Sequence, residues 1–240
     1  MDWRSAGLKS LCGALVVFTP QVGYAHLAHP GYSGLISTPN AEVLQQGQIA
    51  AVFSWIDGPD SYLFSPKTNR IYAVTIGVLP GLEATLRQTQ VIGWHDPDAP
   101  GVQHAFDRMF SAKYSFALPQ GFPQAAIGMQ DLASGNVLTG ARGIRPGMTQ
   151  YGQSTLYGVI GEGFSDWAWH GGVGISQAFI NGLFAGISYH PLHQLRLLGE
   201  WDSQGINWGI QLIPMEDWWI QVSSINRSTW GFSLSAQVGL

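Results

Sequence analysis

The chain has 240 residues, of which 45% are hydrophobic and only 11% charged, with a formal net charge of -4. That charge density is low for a soluble protein of this size, and the negative balance speaks against nucleic acid as a partner. No stretch approaches the roughly 18 unbroken apolar residues that a membrane helix requires, so a β-barrel or a secreted sandwich remains.

At the N-terminus, Arg4 and Lys9 precede the apolar run Leu11 to Phe18, followed by the small-residue site Gly23, Tyr24, Ala25. These features read as a secretory signal peptide over residues 1–25, cleaved after Ala25. The single cysteine, Cys12, lies inside it, which leaves the mature chain without a thiol to oxidise in the periplasm. Residues 26–47 follow as an N-terminal segment. Within it Thr38 can cap a short helix, with Pro39 at its first position, Ala41 to Gln46 as its body and Gly47 as its stop. The segment lies just before the first strand. It is expected either at the periplasmic mouth of a barrel or folded into the lumen as a small plug.

From residue 48 onward about twelve segments match the roughly 9 to 11 residues of a tilted membrane strand. They run approximately over 48–56, 69–79, 82–91, 106–118, 124–132, 153–161, 167–177, 182–190, 194–202, 205–213, 217–226 and 228–240. Their number is even, as in bacterial single-chain barrels. The first, third and fifth links, 57–68, 92–105 and 133–152, are long and rich in Gly, Pro, Asp and Asn, whereas LPGLE and LPQGFP are tight turns. Long loops at one end and short turns at the other are barrel topology. With EGFSDW, YHPLH and IPMEDW as further short turns, both termini fall in the periplasm.

The faces of the strands agree. Leu82, Ala84 and Leu86 alternate with Glu83, Thr85 and Arg87; Ile206, Trp208, Ile210 and Leu212 alternate with Asn207, Gly209 and Gln211. The closing strand puts Trp230, Phe232, Leu234, Ala236, Val238 and Leu240 on one side. A basic side chain facing lipid at mid-bilayer costs about 2–4 kcal/mol, so Glu83, Arg87, Lys113, Arg196 and Glu200 are expected to point into the lumen. These five are the polar candidates for contact with a ligand. Leu198 is a blemish, since it shares their face. Trp55, Trp94, Trp201 and Trp230 toward the outside, with Trp167, Trp218 and Trp219 toward the periplasm, are expected to form two aromatic girdles. The fold class is therefore all-β, a single up-and-down antiparallel transmembrane β-barrel of about twelve strands over 48–240, with a short N-terminal helical segment.

Four strings, GYSGLISTPNAEVLQQGQ, GVLPGLEATLR, FDRMFSAKYSFALPQGFPQAAIGMQDL and LLGEWDSQGINWGIQL, together resemble the YjbH family of exopolysaccharide-associated outer-membrane proteins. Within them SGLISTPNA and AIGMQDL are the most specific. The resemblance implies a β-barrel in the outer membrane linked to capsule or exopolysaccharide production and export, with periplasmic export components as partners.

Catalytic readings find less support. Barrel lipases carry a His and a Ser two residues apart on a strand, and none of the seven histidines has that spacing. His190 and His193 flank a turn proline without a third ligand nearby, so no metal is assigned. Glu83, Asp131, Glu162 and Glu200 qualify for a glycosidase pair by residue type alone. The expected role is non-enzymatic and without cofactor: a channel, scaffold or docking protein whose interior contacts polysaccharide. A lumen of about twelve strands lies between filled small barrels and open porins, and is expected closed. The alternative is a secreted soluble β-sandwich that binds or cleaves carbohydrate.

Overall fold

The computed structural model describes residues 25–57, 68–92, 104–116, 118–119, 121–132, 155–176 and 180–239, with the side chains of 104–107 excepted. The expected signal peptide, the three long links and Trp94 lie outside the described residues, apart from a few residues at their edges. Twelve strands account for most of the rest: β1 Gln48–Asp57, β2 Asn69–Leu79, β3 Leu82–Ile92, β4 His104–Phe116, β5 Gln124–Gln130, β6 Thr155–Gly163, β7 Trp167–Ile175, β8 Gly182–Leu192, β9 Leu195–Trp201, β10 Ile206–Met215, β11 Trp218–Ile225 and β12 Thr229–Gly239. No strand end differs from the sequence expectation by more than two residues.

Each strand pairs antiparallel with its neighbour in sequence, and β1 pairs with β12 to close the barrel. The closing seam runs without a break from Gln48 opposite Gly239 to Asp57 opposite Trp230. Closure leaves no free edge and excludes the two-sheet sandwich. Irregularities in register occur between Gly77 and Leu79, Tyr189 and Leu192, and Leu212 and Met215, all beside turns at one end of the barrel. That end carries the short turns after β2, β8 and β10, the entry to β1 and the end of β12. The opposite end carries the long links. There the β11–β12 hairpin turns tightly through the three residues Asn226, Arg227 and Ser228, the first two left-handed at φ of 50° and 67°.

The period of two along each strand divides the wall into two chemistries. Asn207, Gln221 and Ser233 are fully buried inside, while Leu86, Ile175 and Ile206 are each more than 60% exposed outside. Apolar outside and polar inside inverts a water-soluble protein. A belt of this kind is stable only where hydrocarbon covers it, because about 25 cal/mol per Å² of apolar surface would oppose its exposure to water. The chain is a membrane-spanning β-barrel.

Trp55, Trp201 and Trp230 face outward near the long-loop end, where Trp208 meets Trp230 edge-on with ring centroids 5.6 Å apart. Trp167 and Trp218 face outward at the other end. Trp219 departs from the expected girdle. It is fully buried, because Trp218 and Trp219 are consecutive and the pleat sends them to opposite faces. Its ring packs edge-on against His26, 5.1 Å between centroids.

The short helix expected over Ala41 to Gln46 is not formed. Residues 38–45 form no helical turn, with bends at Thr38 and Ala41, before a turn at Gln46 and Gly47. Gly34 and Pro39 pair as an antiparallel bridge, the Asn40 amide donates to the Ser33 carbonyl (3.3 Å), and the Leu44 amide donates to Glu83 (3.1 Å). Backbone groups that a helix would have paired internally are taken by a neighbouring strand-like stretch and by the wall, so the local capping signal loses.

Candidate functional site

Residues 25–47 do not sit at the mouth but fill the lumen. The chain enters beside Trp219 at the short-turn end, rises to His29, doubles back through Gly31 to Ser33 beside Glu83, and rises again to a tip at Leu35 and Ile36. It then descends to Gly47, whose amide donates to the Gly77 carbonyl (2.9 Å). Leu27 pairs with Ser33 across the inner turn. Apolar contacts anchor both extremities. At the tip Leu35 and Ile36 cluster with Ile56, Ile71, Val91, Leu198 and Ile225. At the base Leu27 and Leu44 cluster with Val52 and Trp219. The tip explains Leu198: an apolar residue on the lumen face is needed where the plug presents Leu35 and Ile36.

Between these anchors the plug is held by charge. All five sequence candidates, Glu83, Arg87, Lys113, Arg196 and Glu200, point inward and are buried. Glu200 on β9 accepts from the backbone amides of Ile36 (3.0 Å), Ser37 (2.8 Å) and Thr38 (3.1 Å), from the Thr38 hydroxyl (2.8 Å) and from Asn207 Nδ2 (2.8 Å). Successive amides converging on one carboxylate form an anion nest, here with the anion supplied by the wall. Glu83 on β3 accepts from the Ser33 amide (3.1 Å), the Ser33 hydroxyl (2.5 Å) and the Leu44 amide, and forms an ion pair with Lys113 Nζ at 3.3 Å. Lys113 on β4 also donates to the carbonyls of Ser33 (2.8 Å) and Asn40 (3.2 Å). Three of the five candidates thus bind the chain's own plug. Arg196 donates to Ser188 (3.0 Å), and Arg87 lies against Met109.

The sequence reading missed the groups that complete this interface. Thr38 Oγ1 lies 2.9 Å from His170 Nε2, His29 Nε2 lies 2.6 Å from Ser223 Oγ, Thr75 donates to the Gly31 carbonyl (2.5 Å) and Ser54 to the His29 carbonyl (3.0 Å). His170, Thr75, Ser54 and Ser223 occupy inward positions, so strand parity alone could have placed them in the lumen. The plug residues carry no period and left no comparable signal. A cavity of about 30 Å³ persists beside the plug, lined by Asn40, Glu42, Gln124, Trp169, His170 and Arg196. It has room for about one water and none for a sugar ring.

Two glycines make the fit possible. Gly31 has a φ of +101°, and a Cβ there would lie 2.2 Å from the Ala73 Cβ; a Cβ on Gly77 would lie 1.9 Å from the Gln45 carbonyl oxygen. Gly31→Val is therefore expected to unseat the plug by about 1–3 kcal/mol from the backbone alone, with the steric clash added. The ladder bonds of the wall run from strand to strand around the closed barrel and should persist. Hydrogen exchange checks this: the amides of Ser37, Thr38 and Leu44 should lose protection while β-strand amides keep theirs. Unchanged protection at those three would contradict the fit described.

Solved structures with a similar outline include the KdgM porin in complex with disordered oligogalacturonate, 11% identical, covering 80% of this chain and 99% of that one at a TM-score of 0.44. The COG4313 outer membrane channel from Pseudomonas putida F1 is 10% identical, covering 85% and 100% at a TM-score of 0.43. The N-terminal β-barrel domain of Pseudomonas aeruginosa OprF is 10% identical, covering 81% and 100% at 0.28. No curated protein matches the chain in sequence. A model of the family described as exopolysaccharide biosynthesis protein YbjH, YjbH, matches residues 27–141, from the start of the plug to beyond β5. The resemblance read from SGLISTPNA and AIGMQDL is to this same family, and the matched segment carries the chain's similarity to the YjbH exopolysaccharide biosynthesis proteins.

Proposed function

We propose that the chain is an outer-membrane barrel that serves exopolysaccharide production or export without catalysing a reaction, its lumen closed by residues 26–47 and opened only when that segment withdraws. The observation that carries this reading is the plug itself, hung on the buried carboxylates of Glu83 and Glu200. In the closed state Glu83, Lys113 and Glu200 are committed to the plug. On withdrawal all five polar candidates would line a passage rich in hydrogen-bonding groups, which suits contact with a sugar polymer. A signal peptide ending at Ala25 would deliver the chain, leaving periplasmic export components to act on the short-turn end, where the plug enters.

Loss of the protein is expected to lower extracellular polymer severalfold without accumulation of cleaved oligosaccharides, and the full chain should restore it. N-terminal sequencing of the protein extracted from outer membranes should begin at His26. Undiminished polymer, or a purified barrel that shortens the polymer in vitro, would overturn the proposed role.

A further inference from the structure

The outer wall carries a feature that neither the plug nor the lumen uses. Of the described lysines and arginines within strands, Arg87, Lys113 and Arg196 face the lumen, whereas Arg70 on β2 and Arg108 on β4 face outward. Both sit in one sector. Arg70 is registered with Gln90 of β3 and with Trp55 of β1, its guanidinium 4.7 Å above the Trp55 ring; Arg108 is registered with Gln88 of β3. Among the described outward side chains of β2, β3 and β4 there is no carboxylate to offset them. Asp57, at the rim of β1, accepts a hydrogen bond from Thr68 (2.7 Å). Elsewhere the outward belt of β8 to β12 carries no lysine, arginine or carboxylate.

The same sector is hollow. Ala51 and Ala236, paired across the barrel seam, leave a groove of about 670 Å³ on the outer surface. One of its registered rows runs Leu234, Phe53, Tyr72, Gln88, Arg108 across five adjacent strands. The row below begins at Trp218, the first residue of β11, and rises to Phe110 next to Arg108. The groove therefore climbs from the short-turn rim to a cationic end nearer the long loops, with apolar walls between. Guanidinium groups flanked by amides match a phosphate, and the apolar trough matches a hydrocarbon chain.

We propose that this groove seats a phosphorylated lipid of the surrounding leaflet, its phosphate on Arg108 and Arg70 and an acyl chain along Tyr72, Phe53 and Ala51. The test is native mass spectrometry of the detergent-solubilised full chain titrated with diphosphoryl lipid A, with phosphatidylcholine as the comparison lipid. One lipid A per barrel should remain bound under conditions that strip phosphatidylcholine. Arg70→Gln combined with Arg108→Gln should weaken retention by roughly thirty-fold, since each basic group at an anionic lipid surface contributes about fivefold. Ala51→Leu with Ala236→Leu, which fills the trough and leaves the charges, should weaken it too. Both pairs lie on the lipid face, and heat-dependent gel mobility reports that the barrels are intact. Retention that is equal for the two lipids, or unchanged in both variants, would overturn the proposal. Displacement by millimolar inorganic phosphate would equally do so, by assigning the arginines to a free anion.

Discussion

Glu200→Ala is expected to turn a silent barrel into an intermittently conducting one. In planar bilayers the full chain should give no discrete current steps, because the plug is bonded to the lumen wall at Glu83 and Glu200 and the cavity lined by Asn40, His170 and Arg196 beside it holds about 30 Å³. Removing the carboxylate strands the amides of Ile36, Ser37 and Thr38 inside the lumen, and each buried unpaired donor costs about 1–3 kcal/mol. Those donors recover their hydrogen bonds if the tip leaves for water. The apolar contacts of Leu35 and Ile36 oppose departure, each side chain retaining about 1.5–3 kcal/mol of burial, so the two terms are comparable and the pore should flicker. Adding Ile36→Ser removes much of the opposing term and should give long openings whose amplitude scales with salt. Deleting residues 27–46 should give the same amplitude continuously. Steps of that size in the unaltered chain, or none in the deletion variant, would show that the plug does not determine closure.

The second large effect concerns the ion pair. Glu83 and Lys113 are each 1% exposed on the side chain and 3.3 Å apart, and losing one partner of a buried pair costs about 3–5 kcal/mol because the other charge remains uncompensated. Lys113→Met also removes the donor to the Ser33 and Asn40 carbonyls. Urea titration of the chain folded in lipid vesicles should show this loss. Adding Glu83→Gln should return part of it, since the residual carboxylate is then neutral, and the double-mutant cycle should give a coupling of about 1–3 kcal/mol. Strict additivity of the two substitutions would mean that the pair does not act as a unit.

Much of the wall was legible in the chain. Alternation such as Leu82 to Arg87 and Ile206 to Leu212 can be satisfied only by an extended strand with unlike surroundings on its two faces, and the spacing of short turns and long links ordered those strands into a closed ladder. Arg196 and Glu200 could be sent inward on parity alone. Parity would also have separated Trp218 from Trp219, had consecutive residues been assigned one by one instead of grouped by composition.

The plug was a different matter. Thr38, Pro39 and Gly47 spelled a capped helix, and a chain fragment free in water would have had nothing better to do with its amides. In the barrel Thr38 meets Glu200, 162 residues away, and Ser33 meets Glu83, 50 residues away. Neither partnership leaves a trace in local spacing, because the lumen that imposes it exists only after β1 has closed on β12. The sequence by itself determined where the strands run, which face meets lipid and which charges turn inward, since each follows from the two-residue pleat and the cost of charge in hydrocarbon. Only the tertiary structure decided that the lumen is filled, that Leu198 belongs to its seal, and that Arg108 stands at the end of an outer groove with Leu234 and Trp218, because these depend on distances between segments that the chain order keeps far apart.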